Sequence, residues 1–139
     1  MHVAPGAVNL DKSSICLVEE DVVGRRSLQL LLRSANYEVR AYATAKALVN
    51  DSGARNCACL MTDLMPDIDG IKLLTQLRAE GWGAPAILLT SSPSPDLDTR
   101  AADAGFHAVL RKPLIDRIVL ETVRAAIVCD TSRTMAARE

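Results

Sequence analysis

Short apolar runs alternate with longer segments of helical period along the chain, and this alternation restricts the fold more than any other feature. Runs of about four to eight apolar residues between turn signals are typical of buried strands. Strands separated by helices pair in a mostly parallel sheet, because each connection returns over the sheet through a right-handed crossover. We therefore predict an α/β fold, with a doubly wound, five-stranded parallel sheet covered by helices on both faces.

Residue spacing also places the individual elements. The predicted strands cover residues 15–18, 37–42, 57–62, 86–89 and 108–110. Thr44 and Asp69 stand where N-caps are expected, since short polar side chains accept hydrogen bonds from the first turn of a helix. Gly105 is predicted to end the fourth helix in a left-handed conformation. The last helix is predicted over about residues 115–128.

Composition argues against several classes of function. The formal net charge is −1 and aromatic residues make up 3% of the chain, so neither a basic nucleic-acid surface nor a stacking platform for bases is expected. No apolar run approaches the roughly 20 residues that cross a bilayer. Residues 1–11 lack the pattern of a signal peptide. We therefore expect a cytoplasmic protein that binds neither nucleic acid nor membrane.

A chain of 139 residues has the length of one ordinary domain. No internal repeat or low-complexity segment indicates a second one. We predict an N-terminal extension over residues 1–13, the domain itself over residues 14–129, and a flexible C-terminal tail over residues 130–139.

Four cysteines, at positions 16, 57, 59 and 129, are predicted to be reduced core residues. Cys57 and Cys59 are two apart in a predicted strand and are therefore expected on one face of the sheet. Such a pair is also typical of half a metal site, but no second pair of cysteines or histidines completes the ligand set. His2 and His107 lie far apart in the sequence and are expected at ordinary surface or edge positions.

Polar side chains follow four of the predicted strands, at the edge of the sheet where α/β folds place their sites. Glu19 and Glu20 follow the first strand, Asp63 the third, Thr90 the fourth and Lys112 the fifth. Three carboxylates in one small volume repel each other unless a cation lies among them. Mg²⁺ is the natural cation, since it prefers one or two carboxylates together with water and phosphate oxygens.

These groups together are suited to phosphoryl transfer. A carboxylate is a nucleophile that accepts a phosphoryl group, and we assign that role to Asp63. The metal and Lys112 would neutralise the equatorial oxygens, while the hydroxyl of Thr90 would donate a hydrogen bond to another oxygen. Each residue alone is also common as a cap or turn residue, so the prediction depends on their conjunction at four strand ends.

The same segments match a known family. Over residues 14–128 the chain resembles the receiver domain of bacterial two-component response regulators, of the single-domain, chemotaxis-regulator-like kind. The matching segments are LVEED (residues 17–21) with Arg25, TDL (62–64), MPDIDG (65–70), LTS (89–91) and RKP (111–113). Each segment is weak alone, and together they are specific in this order. The resemblance implies a flavodoxin-like (βα)5 fold with strand order 2-1-3-4-5.

The resemblance also implies a role for each site residue. Asp63 would be the phosphoacceptor, Glu20 and Asp63 would bind Mg²⁺, and Glu19 would act through water. Thr90 would be the hydroxyl that moves toward the phosphoryl group, and Lys112 would bind its oxygen. The phosphodonor would be a sensor histidine kinase or a histidine phosphotransfer protein.

Several positions depart from the family pattern. The loop after Asp63 is one residue shorter than usual, so Met65 would supply the backbone carbonyl that ligates the metal. Alignment on Met65 and Pro66 instead would put Thr62 in the acceptor position, and we prefer Asp63 because it directly follows the apolar run. Both acids of the first pair are glutamates, where at least one aspartate is usual. Val109 stands where many members carry Tyr or Phe.

The resemblance carries two further expectations. The peptide bond between Lys112 and Pro113 is usually cis in this family. No output domain is recognisable in the sequence, so a separate, unknown protein is expected to detect the phosphorylated state. A homodimer is left open.

Two alternative functions are also left open. A pseudo-receiver would keep the fold and bind a partner without phosphorylation, and the short loop and the paired glutamates favour it. An Asp-based phosphatase would use Asp67 and Asp69, but Pro66 stands where that motif needs an apolar strand residue.

Overall fold

Five parallel strands form one sheet in the order β2-β1-β3-β4-β5, so the predicted fold class and strand order are confirmed. The computed structural model describes residues 13–63, 69–91 and 94–138, with side chains as far as residue 130. The strands are β1 (Ser14–Val18), β2 (Glu38–Tyr42), β3 (Cys59–Asp63), β4 (Ala86–Thr90) and β5 (Ala108–Arg111). The three inner strands have neighbours on both sides, and this position explains their nearly continuous apolar sequences.

Helices on the two faces connect the strands. They are α1 (Val22–Ser34), α2 (Ala45–Val49), α3 (Gly70–Ala79), α4 (Pro95–Ala104) and α5 (Asp116–Arg138), with a 3₁₀ helix (Ser52–Asn56) before β3. α1 and α5 pack on one face of the sheet, and α2, α3 and α4 pack on the other. The helices therefore cover both sides, as the doubly wound fold requires.

Alternate residues of the inner strands enter two separate apolar layers. The layer under α1 and α5 includes Ile15, Leu17, Met61, Leu89, Leu32 and Val123. The layer under α2, α3 and α4 includes Cys16, Val18, Leu60, Leu88, Leu48 and Leu74. A shift of one residue would move every side chain of a strand to the opposite layer, so burial fixes the register. This register decides which residue stands at the end of each strand.

The predicted helix ends at three positions are confirmed. The hydroxyl of Thr44 accepts a hydrogen bond from Ala47 N–H at 3.1 Å, and a carboxylate oxygen of Asp69 accepts one from Ile71 N–H at 2.8 Å. Gly105 ends α4 with a φ of 101°, a left-handed conformation in which a Cβ atom would be strained. Local sequence is sufficient for these features because cap and helix are adjacent in the chain.

Two predictions about the cysteines are wrong. The structure joins Cys16 and Cys57 in a disulfide, with the Cα atoms 6.0 Å apart. β3 begins at Cys59, so Cys57 precedes the strand, and the two residues lie in opposite apolar layers. Spacing did not indicate the disulfide because its cysteines are separated by 41 positions and meet only in the folded sheet.

α5 continues to Arg138, past the predicted end of the last helix at Val128. The sequence after Leu114 contains neither glycine nor proline, so no residue there stops a helix. Although α5 is 23 residues long, neither it nor any other described helix combines the length and apolarity that a membrane span requires. The domain boundaries proposed from the sequence stay predictions.

A hydrogen-bonded cluster links β2 to the 3₁₀ helix. The Tyr42 hydroxyl donates to Asp51 Oδ2 at 2.5 Å, and Asp51 Oδ1 accepts from Gly53 N–H at 3.0 Å. Arg40 also forms an ion pair with Asp51 at 3.4 Å. Burial of the ring and the hydrogen bond to the Asp51 carboxylate raise the pKa of Tyr42 to about 12.

We expect Tyr42 to titrate near pH 12, and not near the usual tyrosine value of about 10. A Tyr37→Phe variant retains only this tyrosine, so its tyrosinate absorbance reports Tyr42 alone. The Tyr42 hydroxyl loses its proton near pH 10 in the unfolded chain and near pH 12 in the folded protein. The free energy of unfolding should therefore fall as the pH rises from about 10 to about 12. A variant with both Tyr37→Phe and Tyr42→Phe should lack the part of this decrease in the free energy of unfolding that Tyr42 causes. A midpoint near pH 10 in the folded protein would contradict the hydrogen-bonded assignment.

Candidate functional site

The ends of four strands bring the predicted site residues to one edge of the sheet. Asp63 and Thr90 are the last residues of β3 and β4, Glu19 directly follows β1, and Lys112 directly follows β5. Neighbouring strands pair in parallel throughout, so these ends lie on the same edge. β5 is an outer strand, and β4 separates it from β3. The long side chain of Lys112 therefore crosses the end of β4 to reach the acids.

Lys112 bridges two carboxylates. Its Nζ donates to Asp63 Oδ2 and to Glu19 Oε1, both at 2.6 Å. The Glu19 side chain is 2% exposed, that of Asp63 17% and that of Lys112 27%. Charge-assisted hydrogen bonds shielded from water in this way are stronger than ion pairs at an open surface. One ammonium thus allows two negative charges to share a pocket.

The pKa of Lys112 lies above the usual lysine value. Burial of the ammonium lowers this pKa, but the hydrogen bonds to Asp63 and Glu19 and the two negative charges outweigh burial. Lys112 is therefore charged at neutral pH. The stabilisation that follows is complete below the usual lysine pKa and is lost as the pH rises through the folded value. With two carboxylates and one ammonium, the site keeps a net negative charge.

Glu19 and Glu20 occupy different environments. Glu19 is buried, its Oε2 accepts from Asp21 N–H at 3.1 Å, and its own N–H donates to Tyr42 O at 3.0 Å. The Glu20 side chain is exposed. The structure thus brings together two of the three predicted acids, and within residues 13–63, 69–91 and 94–130 no group of three or more His, Cys, Asp or Glu is placed to hold a metal. The assignment of Glu20 as a metal ligand stays a prediction.

Two residues without an assigned role shape the loop that carries Glu19. Asp21 is the N-cap of α1, and its Oδ2 accepts from Gly24 N–H at 2.7 Å. Arg25 donates from Nη1 to the backbone carbonyls of Glu19 at 2.8 Å and Glu20 at 3.3 Å. An acid just before a helical segment is a readable N-cap signal. The reach of Arg25 back along the loop depends on how α1 packs, so the sequence did not indicate it.

Thr62 and Asp63, the two residues considered as acceptor, lie in different environments at the end of β3. Successive strand residues face opposite sides. The Thr62 side chain is completely buried, whereas the Asp63 carboxylate contacts Lys112. Gly70 packs directly behind this end of the strand, because a Cβ atom on it would lie 3.0 Å from both Asp63 O and Leu88 Cδ1. A glycine at the start of α3 therefore lets the helix approach Asp63 closely.

Thr90 and Lys112 are joined through their backbones. The carbonyl of Thr90 accepts a hydrogen bond from Lys112 N–H at 2.7 Å, and the side chain of Thr90 is buried. The peptide bond between Lys112 and Pro113 is cis, so this prediction is confirmed. The position of Lys112 therefore depends on the end of β4 as well as on β5.

The predicted metal ligand Met65 lies outside the described residues. Within them, Glu19 and Asp63 place carboxylate oxygens around one cationic group. This donor set fits Mg²⁺, which proteins commonly bind through one or two carboxylates with water in the remaining positions.

Comparison with known proteins gives a family. Residues 15–124 match the family model of the response regulator receiver domain. Nodulation protein W of Bradyrhizobium diazoefficiens is 31% identical over 128 residues, which cover 91% of this chain and 56% of that protein. Transcriptional regulatory protein FixJ of Azorhizobium caulinodans is 30% identical over 112 residues, which cover 80% of this chain and 53% of that protein. The chain thus spans about half the length of these curated relatives.

Solved structures have the same fold. The response regulator StyR superposes with a TM-score of 0.81 at 29% identity, covering 91% of this chain and 65% of that one. The structure of FixJ-N superposes with a TM-score of 0.75 at 28% identity, covering 84% of this chain and 94% of that one. The chemotaxis protein CheY4 of Vibrio cholerae superposes with a TM-score of 0.76 at 24% identity, covering 83% of this chain and 98% of that one, and supports the fold alone.

We expect Gly70→Ala to displace the end of β3 and to lower the free energy of unfolding by about 1–3 kcal/mol, as overpacking does. The matched control is Gly83→Ala, because nothing lies within 4 Å of a Cβ at that position. The control should stay within about 0.5 kcal/mol of the wild type. Urea unfolding of the three proteins measures the difference. Equal stability of Gly70→Ala and Gly83→Ala would contradict the close approach at Asp63.

Proposed function

The chain belongs to the family of response regulator receiver domains, and we propose that Asp63 accepts a phosphoryl group in a Mg²⁺-dependent reaction. The observation that carries the proposal is the contact of Lys112 with both Asp63 and Glu19 at 2.6 Å. A carboxylate nucleophile beside a fixed ammonium has a charged partner for the oxygens of an incoming phosphoryl group. The chain would catalyse only its own phosphorylation and dephosphorylation.

In this proposal Lys112 changes partners during transfer. A carboxylate oxygen of Asp63 attacks the phosphorus atom, the bond from phosphorus to the donor nitrogen breaks, and the donor imidazole takes up a proton. Lys112 keeps its hydrogen bond to Glu19 and turns another N–H toward a phosphoryl oxygen. The transferred charge is then neutralised by a group that was already in place, so little reorganisation is required.

Glu19 and Asp63 are the carboxylates that would hold Mg²⁺, with the backbone carbonyl of Met65. When bound there, the metal would supply positive charge for the transferring oxygens. The family pattern assigns direct ligation to Glu20 and a water-mediated role to Glu19. The buried position of Glu19 and the exposed position of Glu20 favour an exchange of these two roles.

Thr90 is the residue through which we expect phosphorylation to change the surface. Its hydroxyl would move toward the phosphoryl group and draw with it the segment between β4 and α4. That movement would alter the face made by α4, β5 and α5. Val109 on β5 lacks the aromatic ring that many relatives flip, so displacement of backbone and helix would carry the change.

The partners follow from the same proposal. A sensor histidine kinase or a histidine phosphotransfer protein would donate the phosphoryl group, and an unknown protein would detect it, in the cytoplasm. The FixJ relatives are transcriptional regulatory proteins, and they are about twice as long as the region that matches this chain. We propose no nucleic-acid or membrane binding for this chain, and a homodimer is left open.

A pseudo-receiver is the second candidate, and the exposed Glu20 favours it because, among the described residues, two acids and not three contact Lys112. Such a domain would bind its partner without phosphorylation. An Asp-based phosphatase is disfavoured, because Asp69 caps α3 and pairs with Arg100 at 3.8 Å, whereas Lys112 contacts Glu19 and Asp63.

Incubation with acetyl phosphate and Mg²⁺ should add the mass of one phosphoryl group to the intact chain. Asp63→Asn should abolish the gain because the nucleophilic oxygen is lost, and chelation of Mg²⁺ should abolish it in the wild type. Intact-mass spectrometry measures both. No gain in the wild type, under conditions that phosphorylate an ordinary receiver, would favour the pseudo-receiver.

Glu19→Gln and Glu20→Gln form a matched pair, since each removes one negative charge at constant side-chain length. With Mn²⁺ as a paramagnetic substitute for Mg²⁺, we expect Glu19→Gln to weaken binding by about tenfold or more and Glu20→Gln by clearly less. Electron paramagnetic resonance of unbound Mn²⁺ measures the affinity, and thermal melting verifies that each variant is folded. The opposite ranking would identify Glu20 as the direct ligand.

A further inference from the structure

The disulfide between Cys16 and Cys57 lies outside the proposed phosphotransfer site. Cys16 is in the middle of β1 and is 0% exposed, while Cys57 follows the 3₁₀ helix and is 5% exposed. We propose that this pair is a reversible thiol–disulfide site, at which low-molecular-weight thiols and disulfides exchange through the sulfur of Cys57. The inference does not depend on phosphorylation of the chain.

The disulfide ties a weak surface element to the middle of the sheet. It closes a loop across 41 positions, which contains α1, β2, α2 and the 3₁₀ helix. Without it, the 3₁₀ helix is held by its Asp51 cap, by the buried Ala54 and by a surface ion pair between Arg55 and Glu80. Ion pairs at the surface contribute little to stability. Reduction should therefore loosen this helix first.

The 3₁₀ helix also controls access to the disulfide. Ser52, Arg55 and Asn56 are exposed, and short 3₁₀ segments have poor hydrogen-bond geometry. Opening of such a segment requires far less free energy than unfolding of the domain. It would uncover the sulfur of Cys57, whereas Cys16 stays between β2 and β3 in the sheet. A small thiolate is therefore expected to attack Cys57.

The exchange balances with two equivalents of thiol. The first thiolate bonds to the sulfur of Cys57, the disulfide breaks, and the sulfur of Cys16 leaves as a thiolate and is protonated. A second thiolate attacks the mixed disulfide and releases Cys57 as a thiol, so the protein gains two electrons and two protons. The two small thiols become one disulfide. Oxidised glutathione reverses both steps.

The other two cysteines lie apart from this pair. Cys59 lies in the opposite apolar layer, and burial raises the pKa of its thiol to about 12, which leaves almost no nucleophilic thiolate at neutral pH. Cys129 is exposed on α5, which covers the same layer as Cys59. Both residues therefore serve as internal controls for modification at Cys16 and Cys57.

The first test is a redox titration of the intact chain. The protein is equilibrated at a series of ratios of reduced to oxidised glutathione, quenched, denatured and alkylated. Peptide mapping by mass spectrometry should find positions 16 and 57 unalkylated at the oxidising end and alkylated at the reducing end, whether or not the exposed Cys129 takes up glutathione. Cys129→Ser and Cys59→Ala should keep this change, and Cys57→Ser should abolish it. Peptide mapping of the wild-type protein shows whether Cys16 and Cys57 form a reversible disulfide even if a variant does not fold.

The second test is amide hydrogen exchange of the two redox forms. Residues 52–57 should exchange at least about tenfold faster after reduction, while residues 116–128 of α5 should not change. Alkylation of positions 16 and 57 at every glutathione ratio would overturn the proposal, because no disulfide would form. Persistence of the disulfide until the whole domain unfolds would also overturn it, because the exchange would then not proceed through local opening.

Discussion

The two hydrogen bonds that Lys112 donates are the interaction on which the site depends. They join side chains from the ends of β1, β3 and β5, although these strands are not all neighbours. A buried carboxylate such as Glu19 would destabilise the fold by several kcal/mol if it lost its cationic partner. The same ammonium binds Asp63, so the interaction that stabilises the fold also holds the carboxylate of the proposed acceptor in position.

Neighbouring residues hold Glu19, Asp63 and Lys112 in their positions. Arg25 holds the loop of Glu19 from one side, and Gly70 lets α3 pack closely behind Asp63 from the other. The backbone of Lys112 is bonded to the carbonyl of Thr90, the residue that we expect to respond to phosphorylation. A change at Asp63 can therefore reach β4 through a single side chain and one backbone hydrogen bond. The disulfide lies beyond these contacts and acts on a different part of the domain.

Local patterns in the sequence predicted much of the architecture. The alternation of apolar runs and helical segments indicated the parallel sheet, and Thr44, Asp69 and Gly105 marked helix ends, because each of these signals acts between residues close in the chain. The resemblance to receiver domains added the strand order. The last helix was predicted too short, since nothing after Val128 stops it. The third strand was predicted to start too early, so Cys57 was assigned to the wrong face.

The sequence alone was sufficient to predict that acids, a hydroxyl and a lysine follow the strands, because the end of each apolar run indicates which residue comes last. Which of these groups contact each other depends on the folded arrangement of the strands and loops. Glu19 turns inward and Glu20 outward because Arg25 and Asp21 shape the loop between β1 and α1. Lys112 lies between two carboxylates because β4 separates β5 from β3, and the side chain of Lys112 is long enough to cross the end of β4. Cys16 and Cys57 meet because pairing of β1 with β3 brings distant parts of the chain together, and separation along the sequence carries no information about such contacts.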